Sequence, residues 1–200
     1  MPDNEFVWID RAQKGDMEAF SYLVETYQKP VYNMCYRMLG EAGEAEDAAQ
    51  ETFLRAFKSI HRYDNKRPFP TWLLSIAAHY CIDQIRKRRM TIVSMDEHPD
   101  MDLPDLAPGP ESSLGKREEQ QRVRALLEGL SPTDRAAVTM YYWYDFSYEE
   151  IAQTLSLSLS AVKSRLHRAR QEMAKLWIER QGRSSSAERT YHDHVKSPAF

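Results

Sequence analysis

Residues 147–177, SYEEIAQTLSLSLSAVKSRLHRARQEMAKLW, constrain this chain more than any other stretch, because they specify two short helices joined by a tight turn. Ser147 is a favourable N-cap, and Glu150 three residues later completes a capping box. Ile151, Ala152 and Leu155 give a short apolar face. The serine-rich run 156–160 interrupts it, and Ser160 is expected to cap the next helix. There Val162, Leu166, Ala169, Met173, Leu176 and Trp177 recur at helical spacing and share one side. At about 100° per residue, the other side carries Ser160, Lys163, Ser164, His167, Arg168 and Gln171, flanked by Arg165 and Arg170. Two readings fit. The face is either a solvated basic surface on an ordinary helical hairpin, or a recognition helix whose polar side chains reach base edges while arginines hold phosphates.

The distribution of charge supports contact with nucleic acid better than its sum does. The net charge is only −3. Residues 1–92 hold thirteen basic and thirteen acidic side chains, 93–113 hold six acidic and no Lys or Arg, and 114–180 hold eleven basic against nine acidic. Charge is segregated, so the total conceals local basic patches. No apolar run approaches the ~20 residues needed to cross a bilayer, and the first sixteen residues lack the pattern of a signal peptide. A cytoplasmic protein is expected. Cys35 and Cys81 stand far apart without a CxxC pair, which argues against a disulfide framework or a zinc finger; no metal or cofactor is expected.

An all-α chain of two small helical domains joined by an acidic flexible linker is expected: 1–92, linker 93–115, 116–180 and a polar tail at 181–200. Phe20, Leu23, Val24 and Tyr27 form an apolar stripe that Val31, Met34, Cys35 and Met38 continue, with Pro30 breaking or kinking the helix and Gly40 ending it. In the helix over 44–60, Ala45, Ala49, Phe53, Ala56, Phe57 and Ile60 can face inward. Glu44, Asp47, Gln50 and Glu51 remain outside. They could be a salt-bridged surface, a catalytic carboxylate set or a docking patch for a basic partner, and spacing does not choose among these.

The segment HRYDNKRPF that follows is a loop mixing Tyr63 and Asn65 with Lys66 and Arg67, a combination that suits a single strand with an unstacked base as well as it suits a polar turn. The helix expected over 71–89 has Trp72, Leu73, Ile76, Tyr80, Ile82 and Ile85 inside. It leaves one polar stripe of Ser75, His79, Asp83 and Arg86, and it ends in the run Arg86, Lys87, Arg88 and Arg89. Four successive cations look more like phosphate contacts than dipole partners. His79 and Cys81 are two residues apart and point away from each other, which rules out a shared metal. Residues 94–113, with four prolines, read as an extended linker. Beyond it, Val123, Leu126, Leu127 and Leu130 form a short helix, and Ser131-Pro132 opens another that runs to about 143. With the hairpin this makes a four-helix domain.

Three collinear blocks, YRMLGEAGEAEDAAQETFLRAF, FPTWLLSIAAHYCIDQIRKRR and SYEEIAQTLSLSLSAVKSRLHRARQEM, resemble the bacterial sigma-70 family, specifically its small extracytoplasmic-function subgroup, over about residues 6 to 180. The resemblance implies a non-enzymatic transcription initiation factor that brings core RNA polymerase to promoters, with no small-molecule substrate. Asp47, Gln50 and Glu51, with Glu44 beside them, would dock on the polymerase β′ clamp, and the second domain would meet the β flap. The loop with Tyr63, Asn65, Lys66 and Arg67 would capture a flipped base of the −10 element. The helix carrying Ser75, His79, Asp83, Arg86, Lys87, Arg88 and Arg89 would read and melt that element. Lys163, Ser164, His167 and Arg168, with Ser160, Arg165 and Arg170 around them, would read the −35 element. The acidic linker would thread toward the RNA exit channel, and an anti-sigma factor, commonly membrane-anchored in this subgroup, is the expected regulatory partner. One departure stands out: Ser75 and His79 occupy the places of the family's usual Arg and Asn. The competing reading is an autonomous helix-turn-helix regulator, which would leave the acidic 44–51 face and the basic 86–89 run without a purpose.

Overall fold

The computed structural model describes residues 5–64, 66–95 and 114–195. These form eight helices: α1 (Glu5–Gln13), α2 (Met17–Leu39), α3 (Ala42–Ser59), α4 (Phe69–Met95), α5 (Leu114–Glu128), α6 (Pro132–Tyr144), α7 (Tyr148–Leu155) and α8 (Leu159–Val195). Among the described residues there is no strand.

Local chemistry sets most boundaries. Asp16 caps α2 by accepting from the Ala19 amide at 3.1 Å while Arg11 holds its carboxylate at 2.7 Å. Gly40 closes α2 at φ +85°, a left-handed turn that suits glycine. A Cβ there would also fall 2.7 Å from Glu128 Oε1 and 2.9 Å from Arg124 Nε, because the α5 pair Arg124–Glu128 lies directly over it. Glu41 then starts α3 by accepting from the Gly43 and Glu44 amides.

Four boundary expectations are corrected. Pro30 does not divide α2, which runs through it for 23 residues. The missing N–H removes one helical bond, but Leu23, Val31, Met34 and Met38 on the two sides of the proline are all fully buried and hold the halves in line. The helix expected to end at residue 89 continues to Met95, since nothing between the basic run and Pro99 stops it. The cations at 86–89 therefore lie inside a helix rather than at its C-terminus. α5 begins at Leu114, inside the segment taken as linker. In place of a tail without regular structure, α8 extends to Val195; helix formers such as Ala187, Glu188 and Arg189 sustain it, and the first proline is Pro198.

The first four helices pack around Leu23, Val31, Met34, Met38, Leu73 and Ala77, and the last four around Leu127, Val138, Met140, Ile151, Val162 and Leu166, all at most 2% exposed. Cys35 on α2 and Cys81 on α4 are fully buried against each other, and their contact, with burial, pushes the Cys81 thiol far above its ordinary value. They are core residues.

The two halves also share a core. α6 packs on α2 and α4, α7 on α4, and α5 on α2. Among the described residues, hydrogen bonds cross the junction. Arg135 Nη1 donates to the Met38 carbonyl at 2.5 Å, Tyr144 Oη to the Pro30 carbonyl at 2.7 Å, Thr71 Oγ1 to Glu150 Oε1 at 3.1 Å, and Arg89 Nη2 to the Leu130 carbonyl at 3.4 Å. The Arg37 guanidinium stacks over Trp143 at 5.1 Å. A cavity of about 450 Å³ opens beside these contacts, lined by Lys29, Asn33, Arg37, Trp143 and Phe146 among others.

Candidate functional site

The acidic face of α3 is displayed as its spacing implies. Asp47 and Gln50 are exposed, and Glu51 is half-buried, holding Arg55 at 2.7 Å while Arg55 lies over the Tyr80 ring at 4.8 Å. Glu44 instead turns toward α4 and pairs with Arg88. Leu39, Glu44, Asp47, Tyr80, Gln84 and Arg88 surround a shallow depression of about 120 Å³. Arg88, expected on phosphates, thus stands with the acidic face, and Arg89 is drawn to the Leu130 carbonyl.

The loop after α3 is more rigid than its composition suggests. Tyr63 is 6% exposed, its hydroxyl donating to the Arg67 carbonyl at 2.5 Å and its ring packed on Phe69 and Trp72. Burial, followed by the nearby Glu5 carboxylate, raises the Tyr63 phenol above its ordinary value. The Gln13 side chain of α1 donates to the Ile60 and Tyr63 carbonyls at 3.1 and 2.8 Å, bracing the segment from behind. Tyr63 is therefore the frame of this loop, and no free surface of it is offered to a base. Lys66 is exposed, its amide and ammonium both directed to Asp64, and Arg67 is half-buried. Asn65 lies outside the described residues.

Along α4, His79, Asp83, Arg86 and Lys87 are exposed and Ser75 is half-buried, all on the outward side. Ser75 Oγ donates to the Trp72 carbonyl at 2.6 Å, His79 Nδ1 lies 2.8 Å from the Ser75 carbonyl, and Asp83 is 4.0 Å from Arg86.

The helix-turn-helix forms with its capping box complete: Ser147 Oγ accepts from the Glu150 amide at 3.1 Å, and the Ser147 amide donates to Glu150 Oε2 at 2.8 Å. Ser156 takes a left-handed conformation, φ 53°, to close α7. The cap of α8 is Ser158 rather than Ser160, with Ser158 Oγ accepting from the Ala161 amide at 3.2 Å, because α8 begins one residue before Ser160. Ser160, Lys163, Ser164, His167, Arg168 and Arg170 are exposed on one side, with Lys163 6.0 Å above the Tyr148 ring. Arg165 is different. It is half-buried in an ion pair with Asp134 at 2.8 Å and joins α8 to α6. Trp177, placed by periodicity on the apolar side, is 41% exposed.

Sequence reasoning overlooked Arg135, Gln13 and the second role of Glu150 as acceptor for Thr71. Arg135 left one signal, a lone cation opening the otherwise apolar run AAVTM in α6.

With this geometry in place, the chain can be set beside known proteins. Residues 23–91 match Sigma-70 region 2 and residues 120–173 match Sigma-70 region 4, so the two modules are, in order, those of a sigma-70 factor. The chain is 35% identical over 174 residues to the ECF RNA polymerase sigma factor SigW of Bacillus subtilis (strain 168), covering 84% of this chain and 93% of that relative. It shares its fold with two solved structures at 22% identity. One is RpoE of Bartonella quintana in complex with the anti-sigma factor NepR (TM-score 0.65, 81% of this chain and 98% of that one). The other is CnrH with the cytosolic domain of CnrY (TM-score 0.63, 88% and 99%). This chain belongs to the ECF, or extracytoplasmic-function, RNA polymerase sigma factors, and its role is in transcription initiation. No helix among the described residues is long and apolar enough to cross a membrane.

Proposed function

We propose that this sigma factor docks on core RNA polymerase through α3, with Asp47, Gln50 and Glu51 meeting the β′ clamp, and directs it to promoters with two reading surfaces. The outward face of α4 would read the −10 element, with Lys66, Arg67, Arg86 and Lys87 nearest the strand. Lys163, Ser164, His167 and Arg168 of α8 would read the −35 element while the helical module meets the β flap. An anti-sigma factor, held at the membrane or free, would compete for these surfaces, and an envelope or stress signal would release it. The acidic linker would follow the RNA exit path.

The observation that carries this reading is the separation of chemistry between elements. An acidic helix face stands exposed on α3, while the polar and cationic faces of α4 and α8 stand exposed elsewhere. An autonomous regulator needs only the last of these. Two modest reading surfaces joined to one enzyme bind tightly only where both elements are present, because the second contact is intramolecular once the first is made. Unstacking a base during opening costs a few kcal/mol, which contacts from the loop and α4 must offset. The protein itself makes and breaks no covalent bond in this scheme.

Reconstitution tests it: the purified chain, sigma-free core polymerase and a fragmented genomic library, with transcript start sites sequenced. The chain should focus initiation on sites sharing two spaced elements. Asp47→Ala with Glu51→Ala should abolish co-elution with core enzyme while the helical circular dichroism is kept, and unchanged co-elution would overturn the docking assignment.

A further inference from the structure

The cavity at the junction is walled by both halves of the chain. α2 supplies Lys29, Asn33 and Arg37, α4 supplies Leu74, α6 supplies Trp143, and Phe146 follows α6. Its volume, about 450 Å³, falls in the range of about 300–1,000 Å³ usual for small-ligand sites, which form preferentially between domains. The hydroxyls at its edge are already spent within the protein. Tyr27 donates to Glu5, Tyr144 to the Pro30 carbonyl at 2.7 Å, and Thr71 to Glu150 at 3.1 Å. The polar side chains left over are Lys29, Asn33 and Arg37, four residues apart on one side of α2. Lys29 is exposed and Asn33 half-buried, and among the described residues neither side chain holds a partner. Arg37 gives Nη1 to the Asn33 carbonyl at 3.1 Å and lays its guanidinium on the Trp143 ring, which leaves it N–H donors to spare.

Charge in the cavity is one-sided. No lining residue is acidic, and among the described residues no carboxylate pairs with Lys29 or Arg37. Two uncompensated cations repel an amine, and a neutral apolar molecule leaves them unanswered. An anion with a flat apolar body satisfies both the cations and the aromatic wall. We propose that the cavity binds a small organic acid, its carboxylate held by Lys29, Asn33 and Arg37 and its body against Trp143, Phe146 and Leu74. Arg37 suits this role because its planar fork matches a carboxylate. The walls come from both halves, so the site is complete only while they are docked. A bound acid therefore stabilises the docked arrangement, and parting of the halves weakens its binding by the same factor. The acid acts on the separation of the modules, whichever partner each module meets elsewhere.

The test titrates the full, isotope-labelled chain with unlabelled indoleacetate and naphthoate, with indoleacetamide as the neutral control and tryptamine as the cationic one. Calorimetry reads affinity, and the indole N–H resonances report the place. Both acids should saturate at one equivalent and move the Trp143 resonance, while those of Trp8 and Trp177, which do not line the cavity, stay. Indoleacetamide should bind about 10-fold more weakly than indoleacetate, since charge-assisted hydrogen bonds give way to neutral ones, and tryptamine should not saturate. Lys29 is exposed, so Lys29→Gln should keep the fold; it should weaken both acids by about 10-fold and leave the amide unchanged. Saturating indoleacetate should also raise the urea concentration at which the Trp143 resonance loses its folded position. Equal affinity for acid, amide and amine, a Trp143 resonance that neither acid moves, or undiminished acid binding by Lys29→Gln would overturn the proposal.

Discussion

Arg135 makes a quantitative prediction about the junction between the two halves. Its side chain is 5% exposed, with Nη1 on the Met38 carbonyl and Nη2 on the Glu128 carbonyl at 2.9 Å, while its buried Nε meets no partner among the described residues. Burial lowers its pKa from the ordinary value, opposed by Glu128 and reinforced by Arg89 and Arg88. Only the bond to Met38 crosses between modules; the bond to Glu128 stays within the second. Arg135→Met keeps most of the volume and removes both bonds. A hydrogen bond to a charged group contributes about 1.5–3 kcal/mol, so losing the Met38 bond should shift the equilibrium between docked and separated modules by about 10- to 150-fold, with relief of the poorly solvated guanidinium offsetting part of it. Dyes on cysteines introduced at exposed Lys58 on α3 and Gln171 on α8 would report the separation by energy transfer, since native Cys35 and Cys81 are fully buried. In a urea series the variant should lose transfer at lower denaturant than wild type, before its helices melt. If the transfer curve stays where it was while global stability falls, Arg135 serves only the α5–α6 corner, and its role at the junction is refuted. Thr71→Val is the milder companion: it removes a bond to Glu150 worth about 1 kcal/mol and leaves the capping box intact.

Other perturbations test other parts of the fold. Tyr144, pushed up to about 12 by burial, holds its proton longer folded than unfolded; its contribution is complete below about pH 10 and lost as pH rises through about 12, so alkaline titration should separate the modules, and Tyr144→Phe should flatten that response in the same energy-transfer assay. Asp16 is held below its ordinary value by the Ala19 amide and then by Arg11, so its contribution is present above about pH 4 and disappears as pH falls through the lower folded value; Asp16→Asn should unfold at lower urea than wild type at pH 7 and show less further loss on acidification. Gly40→Ala should destabilise by about 1–2 kcal/mol from the left-handed backbone alone, measured by thermal melting, and it should also weaken docking, because the new Cβ meets the Arg124–Glu128 pair.

The sequence carried the helices well where caps and periodicity agreed. Ser147 and Glu150 announced α7, and Ser131 with Pro132 announced α6, because these signals act within a few residues. The stops were harder to read. Pro30 looks like a break only when the buried residues on both sides of it are ignored, and the run at 86–89 looks like a helix end only if basic residues are taken as a terminus. Exposure of Asp47, Gln50, Lys163 and Arg168 followed from spacing. What remained hidden depended on partners distant in the chain: Tyr63 sealed over by Phe69 and Trp72, Arg165 captured by Asp134 thirty-one residues away, and Arg135 reaching Met38 ninety-seven residues away. Periodicity can show that a residue faces outward or inward, but not which element it will meet.

The pairing of Glu44 with Arg88 turns two surfaces into one thermodynamic unit. A ligand that claims the carboxylate on α3 sets free a guanidinium on α4, and a polyanion that claims the guanidinium bares the carboxylate. Under the proposed assignment of α3 to the polymerase and α4 to the promoter, occupancy beside either partner of this pair would favour occupancy beside the other by the same factor.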